Sequence, residues 1–164
     1  EMSKPTIARV QGAALGGGTG LTAACDMAIA SDDAVFSTSE VKFGIIPSAI
    51  SPYVLRAIGP RHALRYFQSA ERISADRALA IGLVGEVVPL AELDASIGKL
   101  VDALLQGGPQ AQKAAKELIV AVNGKIIDKN ISEETAQRIA RQRATDEAKD
   151  GIAAFLEKRP PNWI

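Results

Sequence analysis

The pattern of apolar and polar positions divides the chain into two parts. In the first part, short apolar runs ending near glycine, proline or aspartate are typical of strands, and they lie at residues 6–10, 27–31, 34–38 and 84–88. From residue 90 onward, apolar residues recur at helical spacing instead. The pattern therefore predicts an α/β region followed by a wholly helical one.

Helices are predicted in both parts from apolar spacing and from the residues that start and stop them. In the first part they cover residues 21–26, 50–58 and 60–68, and one more begins after the N-cap residue Ser74. Gly59-Pro60 separates two of them, because glycine ends a helix and proline can begin the next. In the second part we expect helices over 90–105, from Pro109, from Ser132 to about Asp146, and from there to about Lys158.

The composition is that of one soluble globular domain. The chain has 164 residues, of which 47% are hydrophobic and 23% are charged. Lys and Arg number 19, as do Asp and Glu, so a neutral chain offers no basic surface to nucleic acid or anionic lipid. Cys25 and His62 are the only residues of their types, which excludes internal disulfides and clusters of cysteine or histidine around a metal. No apolar run reaches the roughly 18 residues that a membrane span needs.

Glycines at positions 16, 17, 18 and 20 stand between a predicted strand and a predicted helix. Backbone N–H groups in such a loop can point at an anion, helped by the partial positive charge of the helix N-terminus. No Lys-Ser/Thr pair follows, and Leu21 stands where the last glycine of a GxGxxG motif belongs. The glycine run therefore has two possible interpretations. It is either an oxyanion hole for a polarised carbonyl or a tight turn with close helix packing.

Glu40 is the candidate acid–base residue. Alternation along residues 34–41 places it on one strand face with Phe36 and Thr38, and several apolar residues follow soon after. A carboxylate among apolar neighbours is partly desolvated, which suits general acid–base catalysis. The alternative is a solvated glutamate at a strand end. His62 lies among arginines and is expected to be a surface histidine.

Several motifs follow one another in order along the chain. They are GAALGGGxxLxxxCD at residues 12–26, AxFxxxEVxFGxxP at 34–47, RAIG at 56–59, AxxIGLV at 78–84 and FLEKR at 155–159. In this order they resemble the signature of the crotonase (enoyl-CoA hydratase/isomerase) superfamily over essentially the whole chain. The run IPSAISPY at residues 46–53 is most similar to bacterial hydratases for branched acyl groups, such as the methylglutaconyl-CoA hydratases of leucine breakdown.

The resemblance implies an α/β fold, the crotonase-like spiral of ββα turns. Residues 1–89 would form the C-terminal part of that spiral core, and residues 90–164 an α-helical trimerisation tail that builds homotrimers or hexamers as dimers of trimers. The chain is then expected to be the C-terminal portion of a longer protein of the bacterial cytoplasm. The substrate would be an acyl-CoA thioester, with coenzyme A as part of it, and the resemblance implies neither a metal nor a separate cofactor.

The resemblance also assigns roles to residues. The N–H of Gly17 would hold the thioester oxygen and stabilise an enolate, with a second donor supplied from upstream of this chain. Glu40 would move protons at the acyl carbons. Further contacts to the substrate would come from Gly16, Gly18, Pro47, Phe155 and Lys158.

Three departures from the family pattern bear on the reaction. Gly20 replaces the first catalytic glutamate of the hydratases, Ser39 stands where proline is usual, and PSAIS at residues 47–51 replaces a PGxGG stretch. The overall pattern favours a hydratase that adds water to a 2-enoyl-CoA. A Δ3,Δ2-enoyl-CoA isomerase that uses Glu40 alone is the second hypothesis, and an acyl-CoA-binding relative without turnover is the third.

Overall fold

The first part of the molecule begins with two pairs of short strands, each pair joined by a tight turn and leading towards a helix, and ends with two strands on either side of a short helix. The computed structural model describes residues 2–164. Its strands are β1 Ile7–Val10, β2 Ala13–Leu15, β3 Met27–Ser31, β4 Val35–Ser37, β5 Ile73–Ser74 and β6 Glu86–Val88. Gly12, with φ +62°, makes the turn between β1 and β2. Glycine is favoured there because it adopts positive φ without a steric penalty.

The strands of successive turns stack on one another. β3 lies parallel to β1, with Ile7 opposite Met27, and β6 continues this sheet beside β3. β4 lies parallel to β2 in a second sheet, with Ala13 opposite Val35, and β5 joins that sheet antiparallel to β4. One strand–strand–helix unit therefore repeats along a spiral, as expected for an α/β core of this kind.

Three helices belong to the spiral: α1 Gly17–Ala24, α2 Ser51–Ser69 and α3 Ala75–Ala80. The helix α1 begins inside the glycine run, earlier than the predicted residues 21–26. The predicted break is confirmed, because Gly59 inside α2 has the non-helical angles φ 72° and ψ 166°. The predicted cap is also confirmed, since the Ser74 hydroxyl accepts a hydrogen bond from the N–H of Arg77 at 3.3 Å.

The core of the spiral combines small side chains with a few large ones. Alanines on the inner strand faces let neighbouring turns approach closely, and Phe36 fills the space between them with no exposed surface. The buried cluster includes Val10, Ala23, Ala28, Ala30, Phe36, Val54, Ile58, Tyr66, Ile73, Leu83 and Val84.

The rest of the chain is helical: α4 Leu93–Leu105, α5 Pro109–Val122, α6 Lys129–Arg143 and α7 Asp146–Glu157. The predicted start of α6 at Ser132 is wrong. Asp128 is the cap, because its carboxylate accepts the N–H of Ile131 at 2.9 Å. Carboxylate oxygens at this position satisfy the free donors of a first helical turn. The predicted α/β core followed by helices is confirmed.

By its contacts the described chain forms two compact units. One is residues 6–100, here called the spiral unit, and the other is residues 2–5 with 101–164, here called the helical unit. The boundary falls within α4, and the family-based division after residue 89 stays a prediction. No helix in residues 2–164 has the length and apolarity that crossing a membrane requires.

Candidate active site

The glycine run forms the turn between β2 and α1. Gly16 has φ +51°, a left-handed conformation that favours glycine, and its N–H donates to the carbonyl of Ser37 at 2.7 Å. Its own carbonyl accepts the N–H of Gly20 at 3.1 Å, which closes the first turn of α1. The turn therefore redirects the chain from the strand directly into the helix.

The first residues of α1 present free backbone donors. The N–H groups of Gly17 and Gly18 lie in the first helical turn, where no carbonyl of the helix can accept them. Gly17 is exposed, and a Cβ added to it would meet no atom within 4 Å. The helix N-terminus also carries a partial positive charge. This arrangement suits a polarised carbonyl oxygen within hydrogen-bond distance of the Gly17 N–H.

Glu40 lies beside this turn, but not on a strand as predicted. Strand β4 ends at Ser37, and Glu40 begins a 3-10 helical turn, Glu40–Phe43. The strand face expected to carry Phe36, Thr38 and Glu40 together is therefore wrong for Glu40. Its Oε1 atom is 3.4 Å from the position that a Cβ on Gly16 would occupy.

The second carboxylate oxygen of Glu40 has no protein partner. Oε2 is buried and accepts no hydrogen bond from the described residues. Leaving a buried polar atom unpaired is costly, so such atoms usually have a water, an ion or a ligand as partner. Glu40 is therefore a candidate for binding a group from outside the protein.

The aspartates that precede Glu40 in the sequence form hydrogen bonds elsewhere in the fold. Asp26 accepts the N–H of Thr6 at 2.7 Å, and Asp32 accepts the N–H of Leu90 at 3.3 Å. Asp33 accepts the hydroxyl of Ser31. Glu40 is thus the carboxylate that the fold brings to the glycine turn.

Three buried hydroxyl groups that the sequence does not predict hold the site together. The Thr19 hydroxyl donates to the carbonyl of Ala14 at 2.6 Å and accepts the N–H of Ser37 at 3.2 Å. The hydroxyls of Ser37 and Thr38 donate to carbonyls at the end of α2, at 3.2 Å and 2.9 Å. For Ser37 and Thr38 the signal available was the Ser/Thr run at residues 37–39 after an apolar strand, since buried hydroxyls need backbone partners. Thr19 stands alone between two glycines and gives no such signal.

Gly20 is in direct contact with Ile50. A Cβ added to Gly20 would lie 2.2 Å from Cγ2 and 2.6 Å from Cβ of Ile50, well inside contact distance. The close-packing interpretation of the glycine run therefore applies to Gly20, whereas Gly17 faces open space.

The remaining predicted residues lie in two places. Gly18 follows Gly17 in the first turn of α1, and Pro47 is buried in the segment between the 3-10 turn and α2. Phe155, 82% exposed, and Lys158 belong to the helical unit, where Lys158 ends α7 in a left-handed conformation with φ +55°. The structure thus brings Gly16, Gly17, Gly18 and Glu40 together. Among residues 2–164 it shows no group of three or more His, Cys, Asp or Glu that could hold a metal ion.

Comparison with known proteins gives a consistent result. Residues 1–164 match the family model described as enoyl-CoA hydratase/isomerase. The chain is 39% identical over 164 residues to a crotonyl-CoA hydratase of Syntrophomonas wolfei, covering 99% of this chain and 63% of the relative. It is 36% identical over 159 residues to a short-chain-enoyl-CoA hydratase of Clostridium acetobutylicum, covering 96% of this chain and 60% of the relative.

A solved structure gives the same picture. The crystal structure of an enoyl-CoA hydratase from Shewanella pealeana superposes with a TM-score of 0.92 at 44% identity, over 98% of this chain and 60% of the other. The chain therefore spans a little under two thirds of the length of these relatives.

Proposed function

The chain belongs to the enoyl-CoA hydratase/isomerase family, and from this premise we propose that the full-length protein adds water to a 2-enoyl-CoA thioester. The observation that carries the proposal is the buried, unpartnered Oε2 of Glu40 beside the glycine turn. An oxyanion donor and an acid–base group, close together, are what hydration of a conjugated thioester requires.

Gly17 would stabilise the charge that develops on the substrate. As water attacks the β-carbon, the electron pair of the double bond moves towards the carbonyl and leaves an enolate on the thioester oxygen. The free N–H of Gly17 at the start of α1 donates to that oxygen, and the helix dipole adds to the effect. The resemblance implies a second N–H donor from a segment outside this chain.

Glu40 would carry the proton. Its carboxylate takes a proton from water as the new C–O bond forms at the β-carbon. The carboxylic acid then returns this proton to the α-carbon, the carbonyl re-forms, and the enzyme is regenerated. Because one carboxylate serves both carbons, hydroxyl and hydrogen are added to the same face. The atoms balance without an oxidant or a metal, so we propose coenzyme A, as part of the substrate, and no separate cofactor.

The substrate class is the finer part of the proposal. Two relatives are named for crotonyl-CoA and for short-chain enoyl-CoA. The IPSAISPY run at residues 46–53 resembles hydratases for branched acyl groups. We propose a short or branched 2-enoyl-CoA, with 3-methylglutaconyl-CoA as the branched candidate.

A Δ3,Δ2-enoyl-CoA isomerase is the second candidate. The specific observation in its favour is Gly20, which leaves no carboxylate at the position of the hydratases' first glutamate. Glu40 alone could remove a proton from the α-carbon of a 3-enoyl-CoA and return it to the γ-carbon, moving the double bond into conjugation. The oxyanion donor at Gly17 would stabilise the same enolate.

One assay separates these functions. The full-length protein is given crotonyl-CoA, 3-methylglutaconyl-CoA and a 3-enoyl-CoA, and the ultraviolet absorbance of the conjugated enoyl thioester is followed. A loss with the first two supports hydration, and a gain with the third supports isomerisation. No turnover together with acyl-CoA binding would indicate the non-catalytic relative.

Variants test the role of Glu40. Glu40→Gln should lower the rate by about 10²- to 10⁴-fold, the usual contribution of a general acid–base group. Glu86→Gln, on an exposed position of β6, is the matched control and should keep the wild-type rate. A Glu40→Gln rate within about tenfold of wild type would contradict the assignment.

We further propose that the protein assembles as a homotrimer or a hexamer. The helical unit leaves large apolar side chains exposed, among them Ile119, Ile126, Ile127, Phe155 and Leu156. Apolar area of this kind usually marks an interface. Light scattering of the full-length protein tests this assembly, and a monomer at micromolar concentration would contradict it.

A further inference from the structure

The side chain of Ile50 occupies the space that any side chain at position 20 would need. Ile50 is the N-cap residue of α2, and α2 packs against α1. A Cβ on Gly20 would stand 2.6 Å from the Ile50 Cβ, an atom that the backbone fixes and that no rotamer change can move. Residues 20 and 50 therefore cannot both carry a Cβ without a shift of α1 against α2.

Position 20 lies close in the helix to the free N–H groups at the start of α1. It lies one turn after Gly17 in α1, and residues three apart share a helix face. Side chains of a helix lean towards its N-terminus, so a side chain at position 20 would lean towards the free N–H groups at the start of α1. Ile50 thus places an apolar methyl group in the space that a side chain at position 20 would need in order to extend towards these N–H groups.

We infer that Ile50 is a specificity-determining residue that restricts the site to one carboxylate, Glu40. The inference has two halves. The packing half is that Ile50 excludes a side chain at position 20, and the catalytic half, which rests on the proposed function, is that this exclusion affects the reaction. With Ile50 in place, Glu40 alone holds the water at the β-carbon. Isomerisation, in which Glu40 moves a proton between carbons of the substrate, then competes with hydration. Exchanging the pair to a glutamate at position 20 and a glycine at position 50 should therefore raise hydration relative to isomerisation.

The packing half is tested by thermal melting of the full-length protein. Gly20→Ala should lower the Tm by roughly 4 to 10 °C, as overpacking of a core does. Ile50 also packs against the core, so the Gly20→Ala loss is compared within each Ile50 background. In an Ile50→Gly protein Gly20→Ala should cost little, because glycine is accepted at an N-cap position and leaves no Cβ to clash. In an Ile50→Ala protein the loss should remain, since alanine keeps that Cβ. Equal losses in these two backgrounds, or no loss in Gly20→Ala alone, would overturn the pairing.

The catalytic half is tested by the ratio of hydration to isomerisation. Gly20→Glu/Ile50→Gly should raise this ratio at least about tenfold over wild type, which allows for a newly introduced group giving less than the usual contribution of about 10²-fold or more. Gly20→Ala/Ile50→Gly is the control for the vacated space and should leave the ratio unchanged. A folded Gly20→Glu/Ile50→Gly variant with the wild-type ratio would overturn the inference, and so would failure of this variant to fold where the control folds.

If the proposed function is wrong, the experiments give a result that differs from failure of the inference alone. A wild-type protein without either activity would overturn that function together with the catalytic half of the inference. The melting series would still decide whether Ile50 excludes a side chain at position 20.

Discussion

The hydroxyl of Thr19 and the backbone of Ser37 join helix α1 to strand β4. The Thr19 Oγ1 atom accepts the N–H of Ser37 at 3.2 Å and donates its own hydrogen to the carbonyl of Ala14 at 2.6 Å. The Thr19 side chain is 0% exposed. One buried hydroxyl therefore holds the helix start, with Gly17, against the strand that leads to Glu40.

Thr19→Val should damage both stability and activity. Valine has the shape of threonine but leaves the Ser37 N–H and the Ala14 carbonyl with one partner fewer, at a cost of about 1–3 kcal/mol. The control is Thr22→Val in the same helix, whose hydroxyl bonds only to the Gly18 carbonyl one turn back, at 2.9 Å. Denaturant unfolding and turnover are measured for both variants. Equal losses in the two would show that the link to β4 has no special role.

Substitution by alanine should lower the stability of the fold at Gly16 and raise it at Gly17. Gly16→Ala forces φ +51° and ψ −113° on a residue with a Cβ, at about 1–3 kcal/mol, and puts the new methyl 3.4 Å from Glu40 Oε1. Gly17→Ala lies in the helix and meets no protein atom within 4 Å, so it should raise stability by about 0.5–1 kcal/mol.

Acyl-CoA affinity then distinguishes the role of Gly17. The open space next to this residue is where the proposal puts the thioester, so the added methyl should weaken substrate binding in a protein that is no less stable. Calorimetric titration with a substrate analogue measures this effect. Unchanged affinity in Gly17→Ala would locate the thioester elsewhere.

The parts of the fold that the sequence predicts are those decided by local chemistry. The break at Gly59 and the cap at Ser74 follow from backbone properties of these residues, and the structure confirms both. Ser132 and Asp128 both resemble N-cap residues, and only the structure separates them. There Ser132 lies inside the helix and its hydroxyl donates to the Asp128 carbonyl at 2.9 Å.

The site is harder to predict because contacts distant in sequence shape it. Alternation extends the strand through Glu40, but the Thr38 hydroxyl bonds to the Tyr66 carbonyl and the chain turns after it. The contact between Gly20 and Ile50 likewise has no local signal, since each residue fits its own segment. Tertiary contacts of this kind override strand propensity.

Acid should remove the contribution of one surface ion pair. The guanidinium of Arg65 donates two hydrogen bonds to Glu71, at 2.6 Å and 2.9 Å. Together with the Ser69 hydroxyl, these bonds lower the pKa of Glu71 from 4.5 to about 2. A carboxyl group with a lowered folded-state pKa stabilises the fold above its unfolded pKa, and that contribution is lost as the pH falls through the folded value.

Glu71→Gln is therefore expected to melt below wild type at neutral pH, by a small margin because solvent screens the exposed pair. The difference should close as the pH falls from about 4.5 to about 2. Added salt should also reduce it at neutral pH. A difference that stays constant across this range would assign the stabilisation to packing rather than to charge.

Lys158 is expected to lower the stability of the fold and to contribute to acyl-CoA binding. It ends α7 with φ +55°, a left-handed conformation that costs a residue other than glycine about 1–2 kcal/mol. Strain of this kind is often kept where a side chain has a function, and the family resemblance implies, as a prediction still to be tested, that Lys158 contacts the acyl-CoA. Lys158→Gly should therefore raise the free energy of unfolding by about 1 kcal/mol and lower acyl-CoA affinity.

The control is Lys158→Ala, which keeps the backbone strain and loses only the charged side chain. This variant should bind acyl-CoA as weakly as Lys158→Gly but without the gain in stability. Wild-type affinity in the alanine variant would remove Lys158 from the binding site, and equal stability of the two variants would show that the strain is relieved in another way.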